Sequence, residues 1–169
     1  TKTIIKIISA SRTKEYYITQ RKDFKIETIL DSADASVAFS VPDQVYPITC
    51  ESYVVVEHQE YIVKEISPVK NGYRDVKAIL NLEDLEGKLF STYEKKATAE
   101  AHLEEALKDT GWKLRCQLDD NTELTIEDEN TTAKAIIDQV REIFGIEVRY
   151  DTQSKVLYAA RQIGDDEGV

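Results

Sequence analysis

Histidine, cysteine and clustered carboxylates build most catalytic and metal sites, and this chain keeps them apart. His58 stands at a His58-Gln59 turn between two extended segments, and His102 lies on a helical stretch beside its apolar stripe. Neither has a second histidine four residues on or a neighbouring cysteine, the spacing that would put two ligands on one face, so both read as surface or partly packed side chains. Cys50 and Cys116 show no Cys-x-x-Cys spacing and read as two small apolar residues, buried or half-buried. The runs Glu127-Asp128-Glu129 and Asp165-Asp166-Glu167 offer oxygen ligands for a hard cation. Consecutive carboxylates converge on one ion only where a loop folds them, however, and the first run precedes a helix amino terminus, where negative charge is favoured anyway.

Other signatures are missing. There is no Gly-x-Ser-x-Gly elbow and no phosphate-cradling loop, and the 6 glycines are scattered one to a turn. Asn130-Thr131-Thr132 matches a glycosylation sequon with no export signal beside it. The 9 tyrosines are plentiful in the first half, at Tyr16, Tyr17, Tyr46, Tyr53, Tyr61 and Tyr73. A tyrosine packs one ring face and keeps a wet hydroxyl, which suits half-buried strands and subunit contacts. Residue types alone therefore assign no catalytic residue, no cofactor and no metal.

The elements that would position such residues are those of an ordinary folded protein. A 169-residue chain buries about 70% of its unfolded surface, enough for one core or two small ones. Its content of 41% hydrophobic and 32% charged residues argues against disorder. With 22 basic and 32 acidic residues the net charge is −10, which repels phosphate backbones and makes sequence-specific DNA reading a poor expectation. No segment approaches the roughly 18 apolar residues of a membrane helix. Thr1 to Ala10 is broken by Lys2 and Lys6 and alternates as a strand does, not as a secretion signal. The expectation is a protein made in a reducing cytosol.

Period-two alternation predicts strands at Thr1–Ser9, Glu15–Thr19, Phe24–Leu30, Ser36–Val41, Ser52–Glu57, Glu60–Ser67 and Tyr73–Leu80. Asn71-Gly72 marks a tight hairpin between the last two, since both residues tolerate positive φ. Pro42 and Pro47 punctuate edges or turns. Asn81–Gly87 reads as a turn or single helical turn, with Gly87 available as its stop. Beyond it Thr98–Lys108 reads as a helix capped by Thr98 and closed at Thr110-Gly111-Trp112. Strands follow at Trp112–Gln117 and Glu123–Glu127. Ala133, Ile136, Ile137, Val140, Ile143 and Phe144 then form an apolar helical stripe, with a cap among Asn130, Thr131 and Thr132 and a stop at Gly145. Ile146–Tyr150 and Lys155–Ala160 close as a hairpin. The fold class is α+β: an antiparallel β-rich domain over 1–90, a small α+β domain over 91–162 in the order helix-strand-strand-helix-strand-strand, and the start of a linker at 163–169. The boundary is placed near Lys88–Thr98.

The succession Glu60-Tyr-Ile-Val-Lys-Glu-Ile66, Asn71-Gly72, Val76-Lys-Ala-Ile-Leu-Asn-Leu-Glu-Asp-Leu85 and an alanine-rich helix closing on Asp109-Thr-Gly-Trp112 resembles the tail-associated hub proteins of long-tailed phages and prophages. These are the prophage tail endopeptidase proteins, similar in fold to contractile-phage baseplate hubs. The resemblance spans roughly Phe24 to Gly168. It implies a tube-related β domain followed by a small α+β domain. It also implies a non-enzymatic part at the virion tail tip, made in the bacterial host cytoplasm. As partners it implies further copies in a trimer, the distal tail protein and the tape measure, arranged around the tail axis to close or gate the DNA channel. No sequence-specific nucleic acid and no membrane are implied. Hydrolase activity in relatives lies in a later segment, and no residue here can carry it over. Two alternatives stand beside this reading: a cell-wall carbohydrate-binding module using the tyrosines, and the non-catalytic N-terminal part of a tail-associated peptidoglycan hydrolase.

Overall fold

The computed structural model describes residues 3–29 and 34–161. The chain divides into two compact units, Thr1–Asn81 and Leu82–Val169. The first contains seven strands, β1 (Ile5–Ile8), β2 (Glu15–Ile18), β3 (Lys22–Ile29), β4 (Asp34–Pro42), β5 (Tyr53–Val56), β6 (Gln59–Ile66) and β7 (Tyr73–Leu80). They form one antiparallel sheet in the order β2-β1-β5-β6-β7-β4-β3. Alternation decides which face is dry. Ile5, Ile7, Val54, Val56, Val63 and Ala78 are at most 1% exposed, whereas their neighbours Ile8, Val55 and Lys77 stay half-buried or open. Branched and aromatic side chains hold this face together at about 1.5–3 kcal/mol for each large one fully buried.

Two tight hairpins fix the register. Lys70 and Tyr73 exchange backbone hydrogen bonds of 2.8 and 3.0 Å across Asn71 (φ 54°) and Gly72 (φ 79°), the left-handed pair that matches strand twist. The β5–β6 turn has the same shape with unsuited residues: Glu57 and His58 sit at φ 50° and 66°. Its two turn residues are therefore Glu57 and His58, one position earlier than expected, because Gln59 pairs with Val56 as the first residue of β6. Pro42 falls on the last residue of β4, where pairing with β3 has already ended at Ser40, so its missing donor costs nothing there.

The second unit contains α1 (Glu83–Glu86), β8 (Leu89–Ala97), α2 (Ala99–Leu107), β9 (Lys113–Gln117), β10 (Leu124–Thr132), α3 (Ala133–Phe144), β11 (Ile146–Asp151) and β12 (Val156–Arg161). β8 and β10 pair antiparallel, and a second sheet runs β11-β12-β9 with β9 parallel to β12. β8 occupies the segment read as a domain boundary, so the division falls at Asn81, ahead of it. Only Tyr93 and Ala97 of β8 are buried, a period of four that alternation does not detect. β10 is likewise longer than Glu123–Glu127, because cross-strand pairing carries its acidic run through to Thr132.

Helix ends follow the local chemistry. The Thr98 hydroxyl accepts from the Ala101 amide at 3.2 Å and the Thr132 hydroxyl from the Ala135 amide at 3.1 Å, satisfying donors that the first turn leaves open. Gly145 closes α3 in the left-handed conformation, φ 67°. Gly87 stays right-handed at φ −83° and donates to Glu83 O, so it ends α1 without a left-handed turn. Leu103, Ala106, Ile136, Ile137 and Val140 are 0% exposed between α2 and α3. Ile143 departs from the expected stripe at 46% exposed. The linker expected at 163–169, and Asp165-Asp166-Glu167 with it, lies outside the described residues.

Candidate functional site

The residues singled out for chemistry are dispersed. His58 is exposed on its turn in the first unit, while His102 is 0% exposed in the core of the second. The imidazole of His102 lies 2.8 Å from the Leu124 carbonyl oxygen through Nε2 and 2.7 Å from the Tyr93 hydroxyl through Nδ1. A carbonyl can only accept, so Nε2 carries the proton and Nδ1 accepts from the phenol. Burial, and secondarily the charge of Glu105, pushes the Tyr93 phenol up to about 12, which keeps that donor protonated. His102 is thus a satisfied core residue with Tyr93 and Phe144 rings against it at 5.8 and 5.9 Å. Helical spacing places it beside the apolar stripe, but its two partners, 9 and 22 residues away, left no local signal.

The cysteines part company. Cys50 is exposed, contrary to the buried or half-buried expectation, because it lies in the turn before β5. Cys116 is half-buried and donates to Glu100 Oε1 at 3.3 Å. Burial, that hydrogen bond and the charges of Glu100 and Glu104 push its thiol up to about 11, the wrong direction for a nucleophile. Glu127-Asp128-Glu129 lies within β10, the strand that leads directly into α3; Asp128 accepts from Gln139 Nε2 at 2.7 Å while its neighbours alternate to solvent. Among the described residues no group of three or more His, Cys, Asp or Glu side chains could hold a metal ion.

Four tyrosine rings of the first unit, those of Tyr16, Tyr46, Tyr53 and Tyr73, already have partners. Tyr16 and Tyr46 stack at 6.0 Å and 4°, Tyr61 is 3% exposed, and Arg12 and Lys22 cover the rings of Tyr53 and Tyr73 at 3.8 and 4.1 Å. Tyr17, 59% exposed, projects from the edge strand β2. Sugar stacking needs bare ring faces side by side, and these rings are capped, paired or alone. The Tyr46 hydroxyl accepts from the Thr19 and Gln20 amides at 2.9 and 2.8 Å. Burial would raise its phenol, but those bonds, the Thr19 hydroxyl and the charge of Arg21 together bring it below the usual value.

Arg12 also forms a cluster that sequence reading missed. Its guanidinium grips both oxygens of Glu60 at 3.2 and 2.9 Å, and Asn81 Nδ2 donates to the same carboxylate at 2.6 Å. The Glu60 hydrogen bond leads in raising the Arg12 pKa against its partial burial. The partners come from 48 and 21 residues away, so nothing local announces them. The cluster ties the β1–β2 turn to the centre of the sheet and brings no reacting group to solvent.

Each unit has open hollows, one in the first measuring about 520 Å³ beside Phe39 and Val76 and those of the second being larger. A groove of about 900 Å³ runs between α2 and β9, lined by Glu100, Glu104, Leu107, Trp112 and Leu114 among others. A second, of about 810 Å³, borders the same strand and shares Glu100, Leu114 and Cys116 with it. Trp112, 6% exposed, sits edge-on to Tyr150 at 6.0 Å beside the first groove. Such shallow, mixed surfaces suit contact with another protein better than enclosure of a small substrate.

Residues 91–163 match the family model of the prophage endopeptidase tail domain. The fold is similar to that of prophage tail protein gp18 from Listeria monocytogenes EGD-e, with TM-score 0.78, 20% identity and coverage of 94% of this chain and 50% of that one. The 43 kDa tail protein of prophage MuSo2 from Shewanella oneidensis follows at TM-score 0.66 and 13% identity over 95% of this chain and 56% of that one. A more distant likeness, TM-score 0.50 at 7% identity, covers 96% of this chain and 46% of an E. coli type VI secretion component described as similar to T4 bacteriophage tail proteins gp27 and gp5. No curated protein matches the chain. The chain spans about half the length of these solved structures, 50%, 56% and 46%. Residues 91–163 thus match the prophage endopeptidase tail domain, and nearly the whole chain shares the fold of these prophage tail proteins.

Proposed function

We propose that this chain is a structural, non-enzymatic part of a phage or prophage tail tip or baseplate hub. The observation that carries the reading is the combined match: the tail-domain family over 91–163 and the Listeria tail protein fold over 94% of the chain. In this reading the seven-stranded sheet is the tube-like platform, further copies and other tail proteins surround the tail axis, and the assembly closes or gates the DNA channel. A net charge of −10 suits a wall past which DNA slides, because few cations stand ready to exchange for the counterions of the duplex.

Immunogold microscopy of particles from the source prophage, using antibody to this chain, is expected to label one end of the tail; label on the head, or none, overturns the assignment. The channel role has its own check, since tight binding of the chain to duplex DNA at moderate salt would contradict it. The family's name contains the word endopeptidase. Zymography on cell walls tests that directly, with no clearing as the expected result.

A further inference from the structure

The outer edge of β9 is open. On its inner side Lys113 N–H donates to Lys155 O at 2.9 Å and the strand runs parallel to β12. Strand alternation therefore turns the N–H and C=O of Leu114 and Cys116 outward, where no strand among the described residues pairs with them. Unpaired edges are normally blunted by bulges, by shortness or by charge. β3 is interrupted by a register shift at Lys22/Lys25 with Asp23 at φ 56°, β2 has 4 residues, and β10 bears three consecutive acids. β9 has 5 residues in unbroken alternation with no proline, and two hollows of the second unit flank it.

Its two faces differ. On the α2 side Leu114 and Cys116 are half-buried beside Trp112 and Leu107. On the other side the register sets Arg149, Tyr158 and Arg115 in one row across three strands, with the Arg149 guanidinium 4.3 Å from the Tyr158 ring. Lys113 and Arg115 are exposed, and neither they nor Arg149 makes an ion pair among the described residues. In a chain of net charge −10 that concentration of unpaired cations is uneven. It also argues against self-pairing: two β9 strands related by a twofold axis would set Arg115 opposite Arg115, and like charges directly opposite destabilise a sheet.

We infer that β9 is a docking edge for an extended segment of another protein in which acidic residues alternate with apolar ones. The segment adds as a fourth strand, its backbone bonding to Leu114 and Cys116, its acids meeting Lys113 and Arg115, and its apolar side chains entering the groove beside Trp112. The docking edge requires nothing of the tail assignment and can fail without it.

The test titrates the isotope-labelled full chain with a short blocked peptide of alternating glutamate and valine, its lysine–valine counterpart, and a single-stranded oligonucleotide. The acidic peptide is expected to shift the Leu114 and Cys116 amide resonances and to change Trp112 fluorescence. Arg115→Glu is expected to weaken it by about tenfold, the size of one lost and one repelled charge pair. Cys116→Pro removes an outward donor while leaving the β12 side intact, so it should abolish binding. Should the proline variant not fold, Arg115→Glu decides alone. Equal binding of the lysine peptide, shifts confined to residues away from β9, preferential binding of the oligonucleotide, or no binding at all would each overturn the proposal.

Discussion

The two units each carry a buried polar knot, and the knots are built on opposite plans. In the first unit it is charged and reaches solvent through one partner: Arg12, with its side chain 47% exposed, grips Glu60 at 11% while Asn81 supports the carboxylate. In the second it is neutral and central: Tyr93 and His102, 4% and 0% exposed, are closed by the Leu124 carbonyl. A charge pair with one leg in water can be rehydrated when its partner is removed. A neutral chain of hydrogen bonds in a dry core cannot, because whatever is left loses water and partner together. The difference teaches that burial, more than formal charge, sets what each knot contributes.

The largest effect should therefore fall on the neutral knot. His102→Leu keeps bulk but strands the Tyr93 hydroxyl and the Leu124 carbonyl, and is expected to cost about 3 kcal/mol. Glu60→Ala leaves Arg12 free to turn to solvent and should cost about 1–2 kcal/mol. Hydrogen exchange monitored at α3 for the first variant and at β6 for the second reads each unit separately. If the two losses proved equal, or the order reversed, the comparison between the knots would be broken.

Alkaline stability sharpens the same contrast. The Cys116 thiol is held up to about 11 against an ordinary 9.0, so above pH 9 the unfolded chain releases a proton that the folded chain still holds. Stability is then intact below pH 9 and declines between about 9 and 11, as proton linkage requires when the unfolded state binds fewer protons. Cys116→Ala should flatten that part of the profile in chemical denaturation. An unchanged slope would mean that burial and Glu100 together do not hold the thiol as the geometry indicates.

Local chemistry made much of the fold readable in advance. The caps at Thr98 and Thr132, the stop at Gly145 and the Asn71-Gly72 hairpin are each written in a few adjacent residues, and so is every strand whose core side alternates, β5 to β7 above all. What was illegible depended on distant partners. β8 shows only Tyr93 and Ala97 to the core and exists because β10 pairs with it from Leu89 to Ala97. The Arg12–Glu60–Asn81 cluster and the two bonds of His102 span tens of residues or cross between elements, so no spacing rule reaches them. Cys50 was misplaced because a small residue in a turn carries no sign of its exposure. The β9 edge was readable as a strand, but its openness is a property of what fails to pair with it.

The smallest effect concerns the two hairpin turns of the first sheet, which share a backbone shape and differ in sequence. Asn71 and Gly72 occupy left-handed positions that suit them, and a Cβ added at Gly72 would meet nothing within 4 Å. Glu57 and His58 occupy the same kind of positions at φ 50° and 66° with side chains that clash with their own backbone, a strain of order 1–2 kcal/mol per residue. Replacing Glu57-His58 with Asn-Gly should therefore raise stability by about 1 kcal/mol, part of the relief being offset by the greater freedom of glycine in the unfolded chain. Gly72→Ala should lower stability by about 1 kcal/mol for the converse reason, since the space is open and only φ opposes it. Thermal denaturation of the two variants beside the parent measures both. A Glu57-His58 exchange that lost stability would show that these side chains have partners outside the sheet worth more than the strain they impose.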